Sequence, residues 1–154
     1  MLQETEAEIK KEIEATQQNK GDSNHTPPQG YYLMSPYAEH VDVPAMRAEL
    51  ETTINGEVRF DEGSRALYST DGSNYRQIPL GVVLPKSETD IINTIAICRK
   101  YGSPILSRGG GTSLAGQTCN VAVVMDMSKY YNKVLHMDAE KKRVRVQPGI
   151  VLDH

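Results

Sequence analysis

Beyond about residue 40, apolar and polar positions follow the spacings of helices and strands in turn. The helical segments are VPAMRAELETTI and SETDIINTIAICRKYG. Asp42 can cap the first segment, Pro44 suits its first turn, and Gly56 is expected to end it. Ser87 and Asp90 have the spacing of a capping box at the start of the second segment. The pattern therefore predicts two helices.

Short apolar runs alternate with these helices and predict strands, namely VRF, LGVVLP, SPILS and NVAVVMDMS. After the first run, DEGSRALYS indicates a short helix or turn, and YSTDGSNYRQIP indicates an irregular loop. The segment KVLHMDAEKKRVRVQPG predicts two strands joined by a charged turn. Within it, Val144 and Val146 alternate with arginines, which predicts a strand with one solvated face. This mixture of elements predicts an α+β fold.

The cysteines and histidines form no motif of a metal or redox site. Cys98 and Cys119 occur in neither a Cys-x-x-Cys nor a Cys/His ligand pattern, so we expect two buried, free thiols and no metal site. Ile91, Ile95 and Cys98 recur at helical spacing, which predicts that they share the buried face of their helix. His136 has no second ligand at a suitable spacing and is expected to be a sheet residue.

Composition limits the classes of protein that fit. The chain has 154 residues, a formal charge of -3 and a hydrophobic share of 38%, which suits one domain or pieces of two and favours neither a transmembrane segment nor nucleic-acid binding. The N-terminus is charged throughout and has no apolar signal-peptide core, so a cytoplasmic protein is expected, with peripheral attachment to the inner membrane left open. Residues 1–29 form a charged leader, expected to be a flexible arm or a partner-binding helix.

The segment SRGGGTSLAGQT, residues 107–118, has the composition of a phosphate-binding loop. It fails the dinucleotide fingerprint, because Leu114 stands where the third glycine belongs. It also fails the triphosphate-binding loop, because Gln117 replaces the required lysine and a strand follows instead of a helix. A loop between two strands fits better: Arg108 leads, the glycines let the main chain lie along a diphosphate, and Thr112 and Ser113 add hydroxyl donors. Leu114 and Ala115 are expected to pack inward.

PILSRGGGTSLAGQ resembles the pyrophosphate loop of the FAD-binding fold shared by vanillyl-alcohol oxidase, p-cresol methylhydroxylase and the flavin-linked 2-hydroxy acid dehydrogenases. YSTDGSNY, PLGVVLPKSETDI, VVMDMSKYYNKVLHMD and VRVQPGIVLD resemble the first half of that flavin domain in the same order. The resemblance covers roughly residues 58–154. It implies a two-subdomain FAD-binding fold of the p-cresol methylhydroxylase type, present here as an incomplete N-terminal part over residues 30–154.

The resemblance also implies a cofactor site and a reaction. The FAD-binding residues carried over are Arg108, Gly109, Gly110, Gly111, Thr112, Ser113, Gly116 and Gln117. For Arg108, a salt bridge to a neighbouring carboxylate remains the alternative. Relatives that bind flavin covalently through this loop have a histidine where this chain has Thr112, so noncovalent FAD is expected. Asp71, Tyr75 and Arg76 are the polar residues nearest to a flavin-facing position, and a loop stabilised by turn hydrogen bonds of Asp71 is the alternative explanation for them. No catalytic residue is assigned.

The implied enzyme oxidises a 2-hydroxy acid such as D-lactate, glycolate or D-2-hydroxyglutarate by hydride transfer to FAD. Its electron acceptor is left open between a quinone, a cytochrome and an electron-transfer flavoprotein. An iron–sulfur cluster would have to lie in a C-terminal region beyond these residues. Two alternatives remain: a noncatalytic FAD- or nucleotide-binding module, and an inactive remnant of such an enzyme. If the whole protein is such an enzyme, these residues alone are still expected to be inactive.

Overall fold

The computed structural model describes residues 38–151, so the predictions for the charged leader lie outside the described residues. The helices are α1 (Val43–Thr53), α2 (Glu62–Leu67) and α3 (Glu88–Lys100). The strands are β1 (Glu57–Arg59), β2 (Gly81–Leu84), β3 (Ile105–Arg108), β4 (Val123–Asp126), β5 (Val134–Asp138) and β6 (Arg143–Val146). Each element predicted from the sequence in this range is present, and DEGSRALYS forms the short helix α2. Within the described residues, no helix is both long and apolar enough to cross a membrane.

Four strands form one sheet in the order β1-β2-β4-β3. β1 pairs with β2 in antiparallel fashion, whereas β4 runs parallel to both β2 and β3. The carboxyl ends of β2, β3 and β4 therefore lie at one edge of the sheet, and the glycine-rich segment begins at that edge. β5 and β6 form a separate antiparallel hairpin.

The core fills both faces of the sheet because β2 and β4 are buried along their whole length, as the sequence predicted. Val83 and Val123 point to the face covered by α1 and α3. Val82 and Val124 point to the opposite face, where Tyr68 and other partly buried side chains pack. Successive residues of a strand face opposite sides, so two continuous apolar runs can support two layers.

The predicted helix starts are confirmed. The Asp42 carboxylate accepts a hydrogen bond from Ala45 N at 3.0 Å, and Ser87 and Asp90 form the complete capping box. The role predicted for Gly56 is wrong, because α1 already ends at Thr53. A Cβ at Gly56 would lie 2.2 Å from the carbonyl oxygen of Leu84, so this glycine permits close approach to the end of β2.

The predicted buried face of α3 is right in part, because Cys98 is buried as expected whereas Ile95 is not. Ile95 is 46% exposed, whereas Asp90 and Thr94 are fully buried beside Cys98. The inward polar groups have partners: the Asp90 carboxylate accepts from Asn55 N at 3.0 Å, and the Thr94 hydroxyl donates to Asp90 O at 2.7 Å. These hydrogen bonds let Asp90 and Thr94 lie on the buried face of α3 in place of Ile95.

Both thiols are buried and free, as predicted. Burial raises the pKa of the Cys98 thiol to about 11. A thiol with such a pKa is protonated near neutral pH and is a poor nucleophile. The structure therefore supports a packing role for Cys98.

The β5–β6 hairpin departs from the expectation that one face would be buried. Its apolar side chains are between 38% and 69% exposed in the described part of the chain: Val134, Leu135, Met137, Val144 and Val146. His136 lies in β5 opposite Arg145 and is a sheet residue as predicted. Apolar and polar residues thus alternate in the strand, but no other element of the described residues covers its apolar face.

Candidate cofactor site

Residues 109–122 connect β3 to β4, two parallel neighbours in the sheet. This confirms the prediction of a strand-to-strand loop. Both rejected phosphate-binding motifs require a helix directly after the glycines, and β4 follows here instead. The loop leaves the carboxyl edge of the sheet, where ligands of open sheets with parallel strands commonly bind.

The glycines of this loop fall into two groups. Gly111 has φ +66°, and a Cβ there would lie 2.4 Å from Arg108 Nη2. Gly116 has φ +77°, and a Cβ there would lie 2.8 Å from the Tyr75 ring. At Gly109 and Gly110, by contrast, the nearest atoms to an added Cβ are 3.9 Å and 3.6 Å away. The protein's own packing and backbone conformation therefore require glycine at the first pair, whereas a Cβ at either residue of the second pair would make only ordinary contacts.

A cavity of about 350 Å³ adjoins this open pair of glycines. Its other lining residues come from the segments after β4 and β6: Ser128, Asn132, Pro148, Gly149, Ile150 and Val151. A Cβ at Gly149 would lie 2.1 Å from Met127 O, so these two segments are packed closely together. Because Gly109 and Gly110 present backbone without side chains to this space, a diphosphate can approach the main chain there.

Arg108 contacts backbone carbonyl groups beneath the loop. Its Nη1 donates to Thr70 O and to Thr118 O, both at 2.9 Å, and its guanidinium lies 5.2 Å from the centroid of the Tyr68 ring. These partners are carbonyl oxygens rather than the neighbouring carboxylate considered from the sequence. Arg108 thereby links the loop to residues 68–70, and its contact with FAD stays a prediction.

Asp71 makes a second link between the two loops. Its Oδ2 accepts from the Thr118 hydroxyl at 3.0 Å and from Thr118 N at 3.2 Å, while Oδ1 accepts from Ser73 N at 2.9 Å. Gly72 N also donates to Gly111 O at 3.0 Å. The hydrogen bonds from Ser73, followed by those from Thr118, lower the pKa of Asp71 to about 2. Asp71 is therefore an ionised acceptor that holds the glycine loop in place.

The remaining loop residues differ in their hydrogen bonding and exposure. The Ser113 hydroxyl is hydrogen-bonded to the Gln117 side chain and accepts from Gln117 N at 3.2 Å, so it already has partners within the loop. Thr112 is exposed. The expectation that Leu114 and Ala115 pack inward is wrong, because both are exposed, and Leu114 is 84% exposed. The hydrogen bonds within the loop form a turn that carries these side chains away from the sheet.

A buried carboxylate under the loop was missed by sequence reasoning. Asp126 is 6% exposed, accepts from the Tyr68 hydroxyl at 2.5 Å and accepts from Ser128 N at 2.8 Å. Burial, followed by the hydrogen bond to Asp126, raises the pKa of Tyr68 to about 12. Asp126 closes an apolar strand run and Tyr68 lies 58 residues earlier, so no local pattern could pair them.

Glu57 forms a charged group at the same edge of the sheet. Its carboxylate accepts from Lys129 Nζ at 2.5 Å and also from the Tyr130 hydroxyl and the Arg59 guanidinium. These contacts, with that of Lys129 the largest, lower the pKa of Glu57 to about 2. The group ties the start of β1 to the segment after β4.

The chain matches a known family over much of the region just described. The model of the FAD binding domain matches residues 79–154, which include β2, the glycine loop and the cavity. Residues 79–154 are therefore similar to FAD binding domains. FAD is therefore the cofactor with which this fold is associated, as the resemblance implied.

Curated relatives cover this part of the chain. D-2-hydroxyglutarate dehydrogenase of Escherichia coli K12 is 36% identical over 103 residues, covering 65% of this chain and 10% of that protein. The glycolate oxidase subunit GlcD of Bacillus subtilis 168 is 32% identical over 102 residues, covering 64% of this chain and 22% of that protein. The chain thus matches only 10% and 22% of the lengths of these two relatives.

Solved structures confirm the predicted fold type. The structure of p-cresol methylhydroxylase with substrate bound superposes with a TM-score of 0.55 and 16% identity, covering 70% of this chain and 22% of that one. At this identity the match shows the fold alone. The α+β mixture predicted from the sequence is therefore that of the p-cresol methylhydroxylase type.

Proposed function

We propose that this chain forms the pyrophosphate-binding part of an oxidoreductase that holds FAD without a covalent bond. The observation that carries the proposal is the open pair Gly109 and Gly110, whose backbone faces a cavity of about 350 Å³ and whose lack of side chains serves no packing need within the protein. The similarity of residues 79–154 to FAD binding domains supports the same cofactor.

In the proposed site, the backbone N–H groups of residues 109–113 bind the diphosphate, and the exposed Thr112 hydroxyl adds a donor. Arg108 and Asp71 support the loop by linking it to residues 68–73 through hydrogen bonds. Gly116 and Gln117 complete the turn that carries Ser113. Threonine has no nitrogen nucleophile to bond to the flavin, so the bound FAD is expected to dissociate. FAD itself supplies the capacity to accept a hydride.

The relatives favour a 2-hydroxy acid as the substrate of the whole enzyme. One is a D-2-hydroxyglutarate dehydrogenase and the other is a glycolate oxidase subunit, and the substrates in their names share a hydroxyl group on the carbon next to a carboxylate. Such a reaction needs a base for the hydroxyl proton and cations for the carboxylate.

The test is an absorption spectrum of the purified chain after incubation with excess FAD and desalting. Flavin absorbance that stays with folded protein, and moves to the supernatant on acid precipitation, is the expected result. Flavin that remains on the acid pellet would contradict noncovalent binding. Folded protein without flavin would contradict the cofactor site as proposed. Circular dichroism of each sample establishes that the protein is folded.

A further inference from the structure

Tyr75 presents an aromatic ring beside the glycine loop. The ring occupies the space that a side chain at Gly116 would need, with Cδ2 and Cγ 2.8 Å from the position of an added Cβ. The residue is nevertheless 63% exposed. An aromatic side chain that lies against a loop and keeps most of its surface exposed is available for stacking on a planar ligand.

The backbone that carries this ring is fixed. Tyr75 N donates to Ser73 Oγ at 3.0 Å, and Ser73 N donates to Asp71 Oδ1 at 2.9 Å. Asp71 in turn accepts from the Thr118 hydroxyl at 3.0 Å. The ring and the glycine loop are therefore held by one hydrogen-bonded unit, which limits the conformational entropy lost on stacking.

The two ends of the glycine loop differ in what lies beside them. At the Gly109–Gly110 end, the cavity includes the polar side chains Ser128 and Asn132. At the other end are the exposed ring of Tyr75 and Leu114, which is 84% exposed. FAD also has two different ends on either side of its diphosphate, an adenosine and the larger isoalloxazine ring.

We propose that Tyr75 stacks on the isoalloxazine ring of FAD, while the adenosine extends from the diphosphate into the cavity at the Gly109–Gly110 end. This inference rests on the proposed function. The reacting ring must remain accessible to a substrate, which suits the open side next to Tyr75. In the cavity, the Ser128 and Asn132 side chains can hydrogen-bond to ribose hydroxyls or adenine nitrogens, and Ile150 and Val151 offer apolar contacts to the adenine ring.

The experiment compares the affinities of the full chain for FAD and for ADP, which carries the adenosine and the diphosphate but no flavin. Tyr75→Ala is expected to weaken FAD binding about tenfold or more and to leave ADP binding within about twofold. Tyr75→Phe keeps the ring and should retain FAD affinity. Tyr75→Leu keeps an apolar contact with Gly116 but should behave as Tyr75→Ala does. Bound-flavin fluorescence should rise in the two variants that lack the ring, since a stacked tyrosine quenches flavin emission.

Two control variants distinguish an effect at the adenosine end of FAD from a general effect on the protein. Asn132→Ala lies in the cavity and should weaken ADP and FAD together. Leu67→Ala removes a side chain that is 69% exposed outside the site and should change neither affinity. Thermal unfolding of each variant shows whether the fold is retained.

The possible results are distinct. Unchanged FAD affinity in Tyr75→Ala and Tyr75→Leu would overturn the stacking role. Equal weakening of ADP and FAD would overturn the assignment of Tyr75 to the flavin end. If the unsubstituted chain is folded and binds neither ADP nor FAD, the proposed function itself is overturned, and the inference on Tyr75 with it.

Discussion

Substitutions at the adjacent glycines Gly110 and Gly111 should distinguish an effect on ligand binding from an effect on protein stability. At Gly110, an added Cβ makes only an ordinary contact of 3.6 Å with Thr112 Cγ2, and φ is not in the left-handed region. Gly110→Val should therefore change the free energy of unfolding by no more than about 0.5 kcal/mol. Its side chain projects into the space expected for the diphosphate, so FAD affinity should fall at least tenfold, or about 1.4 kcal/mol.

Gly111→Ala should behave in the opposite way with respect to stability. A residue with a Cβ at φ +66° costs about 1–2 kcal/mol, and the new Cβ would lie 2.4 Å from Arg108 Nη2. Displacing that guanidinium from its carbonyl partners adds about 1 kcal/mol, which gives a total loss of about 2–3 kcal/mol. Because Gly111→Ala is expected to destabilise the protein, a loss of FAD binding in this variant would not by itself show that Gly111 contacts the ligand.

The assay measures urea unfolding without ligand and FAD titration by flavin fluorescence on the same preparations. The expected pattern is normal stability with weak FAD binding for Gly110→Val, and low stability for Gly111→Ala. FAD affinity of Gly110→Val equal to that of the unsubstituted chain would refute the assignment of the loop. Normal stability of Gly111→Ala would refute the strain argument.

Three further predictions concern the sheet that supports the loop. Asp90→Ala leaves buried N–H groups without an acceptor and should lower the free energy of unfolding by about 3 kcal/mol in urea titrations, whereas truncation of the exposed Ile95 should cost far less. Cys98, with its pKa raised to about 11, should resist a thiol reagent near pH 7 and react after unfolding in urea; rapid labelling of the native chain would contradict this. Because folding lowers the pKa of Glu57 from 4.5 to about 2, its contribution to stability should be complete above about pH 4.5 and fade as pH falls towards 2. Glu57→Gln should flatten that part of the curve of stability against pH, and an unchanged curve would exclude the pairing with Lys129 as its source.

Much of the fold could be predicted from the sequence because the patterns that specify these elements are local. Continuous apolar runs predicted the buried strands β2 and β4, since a strand covered on both faces needs no alternation. Ser87 and Asp90 predicted the start of α3, because a capping box satisfies N–H groups within one turn. Consecutive glycines followed by a strand predicted the type of the cofactor loop.

Other features depend on contacts between distant residues. Asp71 and Thr118 are 47 positions apart, and their pairing exists only because the sheet brings the two loops to one edge. The same assembly decides that the Arg108 guanidinium binds carbonyl groups and that the Tyr75 ring lies on Gly116. Spacing along the chain carries no signal for such pairs.

The sequence by itself determined the local elements of this protein, the position of the glycine loop between two strands and the resemblance to an FAD-binding fold. Tertiary structure alone decided which residues face inward, as Thr94 and Ile95 show, because burial depends on which partners are available and not only on hydrophobicity. It also decided which glycines serve packing and which remain open, a difference that Gly110 and Gly111 display side by side. The physical reason is that periodicity and capping act within a few residues, whereas burial, φ strain and long-range hydrogen bonds exist only once the elements are packed.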